Sequence, residues 1–157
     1  TYRQVKQQFQ KFYWGKNGVG GNVRRERWLV PRRRLERWAK RAELALFTGR
    51  TRHELSYTLE HFGVAHLFPR TVTMDDVDRL KPDPEGLRLL LGKSSPTDAL
   101  YLGDVLDDAL AARKARVPFV GVLPRGSEAR RLRAGQLREH GARLILHDAN
   151  ELERHWK

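Results

Sequence analysis

Short apolar runs alternate with longer amphipathic stretches along most of this chain. Leu44-Ala45-Leu46-Phe47, Arg70-Thr71-Val72-Thr73, Ala99 to Leu102, Phe119 to Val122 and Arg143 to Leu146 each have the length and composition of a strand. Between and around them, apolar positions recur at helical spacing. Helices are predicted over Pro31 to Lys40, Arg52 to Phe62 and Pro84 to Leu91, near 108–116 and 127–139, and from Ala149 towards Trp156. Pro31 suits a first helical turn, and Gly63 and Gly92 suit helix ends. Strands separated by helices at this interval pair in parallel, so the pattern predicts an α/β chain with a doubly wound sheet.

The first 21 residues stand apart from this alternation. Tyr2, Val5, Phe9 and Phe12 recur at helical spacing, predicting a helix over residues 2–14. Gly15-Lys16-Asn17-Gly18-Val19-Gly20-Gly21 follows and reads as a linker or loop. It lacks the Gly-Lys-Ser/Thr ending of a phosphate-binding P-loop, and no strand precedes it as a dinucleotide fingerprint requires.

The chain has 157 residues, enough for one domain with a real core. It has no cysteine, which excludes disulfides and thiolate metal sites and is compatible with the cytosol. No apolar run approaches the ~20 residues of a membrane-spanning helix, and the start does not resemble a secretory signal. The net charge is +12, and arginine supplies 23 of the 31 basic residues. That balance raises the question of nucleic acid. The basic clusters are interleaved with Glu26, Glu36, Glu128 and Glu139, and no nucleic-acid-binding signature accompanies them. A small anionic substrate accounts for the charge equally well. The six histidines show no ligand spacing, and the four tryptophans are expected to pack against helices.

Three motifs carry candidate chemistry. Phe47-Thr48-Gly49-Arg50 ends the first strand, where the Thr48 hydroxyl and the Gly49 amide can donate to a phosphate oxygen; the bland alternative is helix capping by Thr48 or Thr51. Lys81-Pro82-Asp83-Pro84 holds an extended turn that fixes where the Lys81 ammonium points. Gly103-Asp104-Val105-Leu106-Asp107-Asp108 releases three acids at a strand end. Such acids cap helices, or they gather a cation, and hard oxygen ligands suit Mg²⁺.

The order and spacing of these motifs resemble the haloacid dehalogenase (HAD) superfamily of phosphohydrolases, and its subfamily I in the stretches Phe47 to Arg50, Met74-Asp75-Asp76-Val77 and Lys81 to Gly86. The resemblance covers about residues 43 to 150. It implies a Rossmann-like parallel sheet, with residues 1–21 as a remnant of a helical cap plus linker and 22–157 as the core. It gives Thr48 and Gly49 the binding of the transferring phosphoryl group, and makes Lys81 the partner of the nucleophile and the phosphate. Asp104 becomes a direct Mg²⁺ ligand and Asp108 a second, direct or through water, with Asp107 as the alternative. The implied activity is Mg²⁺-dependent hydrolysis of a small phosphorylated metabolite through an aspartyl-phosphate, in the cytoplasm, with a homodimer left open.

One departure is large. The family's first motif is Asp-x-Asp at the end of a first strand, central in the sheet, and supplies the nucleophile and the general acid/base. No aspartate precedes Asp75 in this chain. The expectation is that this strand lies upstream of Thr1 and that the 157 residues alone turn over nothing. The alternative is a non-catalytic binding or regulatory relative. A haloacid dehalogenase is a further alternative, disfavoured because a metal-free haloacid site has no use for clustered acids.

Overall fold

The structure, a computed structural model, describes residues 1–16, 19–126 and 128–156. Asn17 and Gly18 of the glycine-rich stretch, Ser127 at the expected start of a helix, and Lys157 lie outside them. In chain order, helix α1 (Tyr2–Trp14) leads into a short antiparallel pair, β1 (Gly15–Lys16) and β2 (Val19–Gly20), where only a linker is expected from the sequence. Then come α2 (Arg32–Ala39), β3 (Ala45–Phe47), α3 (Arg52–His61), β4 (Arg70–Val72) and α4 (Glu85–Leu91). The chain closes with β5 (Tyr101–Gly103), α5 (Leu106–Ala115), β6 (Phe119–Val122), α6 (Glu128–Glu139) and β7 (Ala142–Leu146). The last predicted helix is a 3-10 segment, Ala149–Arg154.

The fold is the expected α/β arrangement with parallel strands, and the parallel layer is in two pieces. β3 pairs with β4, and β5, β6 and β7 pair in that order. β3 and β5 are not hydrogen-bonded to each other, so each has one edge without a partner strand among the described residues.

Side-chain alternation shows that the two pieces nevertheless form one layer. Along each strand, successive residues point to opposite faces. Phe47, Tyr101, Phe119 and Ile145 belong to one apolar cluster, closed by α4, α5 and α6 through Leu87, Ala109, Ala112, Ala134 and Leu137. Leu46, Leu102, Val120, Leu144 and Leu146 belong to the other, closed by α2 and α3 through Leu35, Trp38, Leu55 and Leu59. The Phe47 and Tyr101 rings lie 6.2 Å apart and carry the first cluster across the break. Each of the four tryptophans sits against other aromatic rings: Trp14 on His53 and Tyr57, Trp28 on Phe62 and Phe68, and Trp38 on Trp156.

The apolar stripe predicted for α1 faces outward: Val5, Phe9 and Phe12 are all more than half exposed. The helix docks instead through Tyr13, which is buried, and Trp14. Periodicity correctly finds the helix but cannot tell which face meets the rest of the chain.

Gly86 sets how closely α4 approaches β3. A Cβ there would overlap the Phe47 ring. Gly86→Ala should therefore destabilise by about 1–3 kcal/mol through overpacking. Gly49→Ala, where a Cβ meets nothing within 4 Å, should leave the melting temperature nearly unchanged. Thermal unfolding of both variants checks the contrast, and equal melting temperatures would contradict it.

Candidate active site

β3 and β5 deliver the first and third motifs to one cleft. It encloses about 200 Å³ and is lined by Phe47, Thr48, Gly49, Met74, Val77, Leu80, Lys81, Val105 and Asp107. Residues from all three sequence motifs meet here, although they are separated by dozens of positions.

Thr48 is held by its backbone, whose N–H donates to the Val72 carbonyl of β4 at 3.0 Å. Its hydroxyl accepts the Arg50 N–H at 3.2 Å. Capping of α3 falls to Thr51, which accepts from the Glu54 N–H at 3.3 Å while the Glu54 carboxylate accepts from the Thr51 N–H at 2.8 Å. The capping alternative thus applies to Thr51, and Thr48 stays on the cleft wall with its hydroxyl hydrogen uncommitted.

Lys81 reaches the cleft from the proline turn ahead of α4. That turn is braced by the Glu85 carboxylate, which accepts from the Asp78 and Arg79 N–H groups at 3.1 and 3.0 Å. Asp83 braces it from the other side, accepting the Glu85 N–H at 3.0 Å. The Lys81 ammonium lies 4.9 Å over the Phe47 ring, a cation–π contact that also ties it to β3. It donates to Asp108 Oδ1 at 2.7 Å and to the Tyr101 hydroxyl at 3.4 Å. An ammonium has three N–H donors, so one is left for the cleft.

Asp108 combines both readings of the acid cluster. It is buried, and its Oδ2 accepts from the Asp104 and Val105 N–H groups at 3.2 and 3.4 Å, closing the start of α5. Its Oδ1 takes Lys81 and the Tyr101 hydroxyl, the latter at 2.7 Å. Burial, then the adjacent Asp108 charge, push the Tyr101 hydroxyl far above its ordinary range, so it remains a protonated donor. Gly103 is required by this arrangement, since a Cβ would sit 2.5 Å from the Asp108 side chain. Nothing in the sequence marks Tyr101 as a site residue, because an aromatic on a short strand reads as core.

Asp104, just after β5, and Asp107, in the first turn of α5, are exposed, and Asp107 lines the cleft. Carboxylate oxygens are suitable donors for Mg²⁺, which is usually held by one or two of them plus water and phosphate oxygens. Asp104 and Asp107 fit that role with open oxygens, whereas both Asp108 oxygens already accept hydrogen bonds. Among the described residues no group of three or more acids and histidines converges as a ready-made metal cage.

One Asp-x-Asp that the motif reading leaves out does occur, at Asp76-Val77-Asp78. It lies beside β4, and neither aspartate lines the cleft. Asp76 accepts from the Thr73 N–H and hydroxyl at 2.7 and 2.6 Å and pairs with Arg52. These hydrogen bonds outweigh burial and hold its carboxyl below the usual range. Asp75 accepts the Arg52 N–H at 2.7 Å. These acids brace the loop after β4 against α3.

Arg50, next to the Thr-Gly pair, joins α1 to the site loop. Its guanidinium lies 2.7 Å from Glu26 and donates to the Thr58 and Tyr13 hydroxyls at 3.0 and 3.2 Å. Tyr13 and Thr58 in turn donate to Glu26 at 2.9 and 3.0 Å. Burial alone would raise the Glu26 carboxyl, but the hydrogen bonds from Arg50 and Tyr13 and the Arg50 charge hold it below its ordinary value. A carboxylate depressed in the folded state stabilises fully above its unfolded value of about 4.3, and that contribution is lost as pH falls further. The protection factors of α1 amides against hydrogen exchange should therefore fall as pH drops from about 5 towards 3. In Glu26→Gln the exchange should already be fast at neutral pH. Superimposable profiles for the two proteins would contradict the network's role.

Comparison with known proteins agrees with this geometry. The haloacid dehalogenase-like hydrolase family matches residues 35–122, more than half of the chain and all three motifs. The pyrophosphatase PpaX of Bacillus velezensis is 34% identical over 82 residues, covering 51% of this chain and 38% of that protein. The phosphoglycolate phosphatase of Pasteurella multocida is 33% identical over 81 residues, covering 50% of this chain and 36% of that one. The chain thus spans well under half the length of these curated relatives. A solved HAD-superfamily hydrolase of subfamily IA from Geobacter sulfurreducens superposes with a TM-score of 0.61 at 26% identity, covering 76% of this chain and 55% of that one. With its motifs in order, gathered at one cleft on the family's parallel scaffold, this chain belongs to the haloacid dehalogenase-like hydrolase family.

Proposed function

We propose that the protein is a cytoplasmic Mg²⁺-dependent phosphohydrolase of a small phosphorylated metabolite. The observation that carries this reading is the convergence of Thr48, Gly49 and the spare Lys81 donor on one cleft, with Asp107 on its wall and Asp104 beside it. The Thr48 hydroxyl and Gly49 amide bind two oxygens of the phosphoryl group. Lys81 neutralises the charge that those oxygens carry during transfer, at a place where it is already oriented and needs no rearrangement. Asp104 and Asp107 would hold the metal, while Asp108 keeps Lys81 oriented. Bound there, Mg²⁺ supplies further charge compensation to the phosphoryl oxygens.

The nucleophile is a carboxylate outside these 157 residues. It belongs to an Asp-x-Asp at the end of a strand that pairs with the open edges of β3 and β5. That carboxylate attacks phosphorus, the ester P–O bond breaks, and the second aspartate protonates the departing alkoxide. Water, giving a proton back to that second aspartate, then attacks the phosphorus of the acyl phosphate, so that inorganic phosphate leaves and the nucleophilic carboxylate is regenerated. The unpaired edges of β3 and β5 support this reading, because two halves of one layer share both apolar clusters without a ladder between them.

The test is turnover of an aryl phosphate by the full-length gene product with and without Mg²⁺, beside the 157-residue chain. The full-length protein should be active only with the divalent ion, and Asp104→Asn should lower kcat by about 10²-fold or more. The 157-residue chain should be inactive. Undiminished activity in Asp104→Asn, or activity independent of divalent metal, would overturn the proposal. A full-length protein inert towards phosphate esters would favour a non-catalytic relative.

A further inference from the structure

A second cleft, larger than the first, lies between the C-terminal ends of α4 and α5. It encloses about 390 Å³ and is lined by Arg88, Leu91, Gly92, Ser94, Pro96, Lys114, Ala115 and Arg116. The candidate active site sits at the opposite, N-terminal ends of the same helices, roughly 10–15 Å away by helix length.

The lining is one-signed, with three cations, a serine hydroxyl and no carboxylate. Some arginines elsewhere pair with acids, among them Arg32 with Glu36, Arg34 and Arg37 with Glu153, Arg50 with Glu26, and Arg52 with Asp76. Among the described residues, the Arg88 and Arg116 guanidinium groups make neither an ion pair nor a hydrogen bond. Lys114 is tied more firmly, its ammonium donating to the Pro82 carbonyl at 3.0 Å.

Basic residues near helix C-termini have an ordinary explanation, since they complement the helix dipole. That explanation is weakened here because several of the terminal carbonyls already have partners. The Gly92 N–H closes on the Arg88 carbonyl at 3.0 Å, the Ser94 N–H on Leu91 at 2.9 Å, and the Val117 N–H on Ala112 at 2.9 Å. Arg116 also lies beyond the helix, in a left-handed conformation at φ 62° that side chains adopt at a cost. Like charges gathered without a counter-charge repel each other, and a planar guanidinium matches the oxygens of a phosphate in a bidentate fork.

We propose that this cleft binds a phosphate-class dianion, free or as the phosphoryl group of a small metabolite. Arg88 and Arg116 grip the oxygens, the Ser94 hydroxyl donates a further bond, and Lys114 adds to the positive field. Leu91, Pro96 and Ala115 form an apolar floor, and the volume exceeds what inorganic phosphate needs. This site is independent of the hydrolytic reading of the first cleft.

The experiment follows backbone amide shifts of the protein by NMR, with EDTA present to suppress turnover. Inorganic phosphate, glycerol 3-phosphate and, as ionic-strength control, chloride are titrated in turn. The Gly92, Ser94 and Arg116 amides should shift and saturate with either phosphate compound, with a dissociation constant of about millimolar. Chloride should leave them in place. Tighter binding of glycerol 3-phosphate identifies a metabolite site, and tighter binding of phosphate identifies a free-anion site. Arg88→Gln with Arg116→Asn, the latter chosen because Asn tolerates the left-handed backbone, should weaken binding at these amides about tenfold or more. Shifts at the Thr48 and Gly49 amides should be unaffected by that pair of changes. Either single exchange makes the same point if the pair lowers the melting temperature. Linear, non-saturating shifts, equal shifts with chloride, or unchanged affinity in the variants would overturn the proposal.

Discussion

The buried ion pair between Lys81 and Asp108 is the interaction on which the rest of the site depends. Their side chains are only 18% and 5% exposed, so neither charge could be kept there without the other. The pair joins the proline turn before α4 to the start of α5. Around it, Gly103 leaves room for the carboxylate, Tyr101 donates from the strand, and Phe47 supports the ammonium from β3. A change at any of these positions acts on the others, because all are fixed by one carboxylate and one ammonium. The same economy explains how a lysine becomes a cleft residue: two donors hold it in place and the third is left for the cleft.

Beneath the site, two partial sheets behave as one layer. Their shared apolar clusters come from strict alternation, with Phe47 and Tyr101 on one face and Leu46 and Leu102 on the other. Helices on both sides hold the halves together by side-chain packing, while among the described residues one backbone edge each of β3 and β5 stays unpaired. Edges of this kind are natural acceptors of an extended segment. An arrangement in which packing, rather than a hydrogen-bond ladder, sets the distance between Thr48 and Asp104 is suited to receiving one.

Much of this was legible in the sequence. Short apolar runs became strands within a residue or two, and each of the three motifs contributes residues to one cleft: Thr48 and Gly49, Lys81, and Val105 with Asp107. What was hidden depended on contacts between distant residues. The outward stripe of α1 follows from Tyr13 and Trp14 docking on α3 and Glu26, which no local period encodes. The β1–β2 pair is too short for alternation to reveal. Tyr101 looked like core, and Arg50 looked like the tail of a motif, because their partners lie 7 to 37 positions away. Asp108 is the most instructive case, since capping and charge pairing turned out to be two uses of the same carboxylate.

In the proposed function, the Lys81–Asp108 pair aims a charge at a phosphoryl group and is not needed to hold the fold. Replacing both partners by apolar residues separates these roles, and the measurement is aryl-phosphate turnover with thermal unfolding for full-length Lys81→Met/Asp108→Leu. A buried pair exchanged whole for apolar residues costs little stability, within about 1–2 kcal/mol. The expected result is a folded protein whose kcat/KM falls by about 10³-fold. A folded double variant that retains its turnover would contradict it.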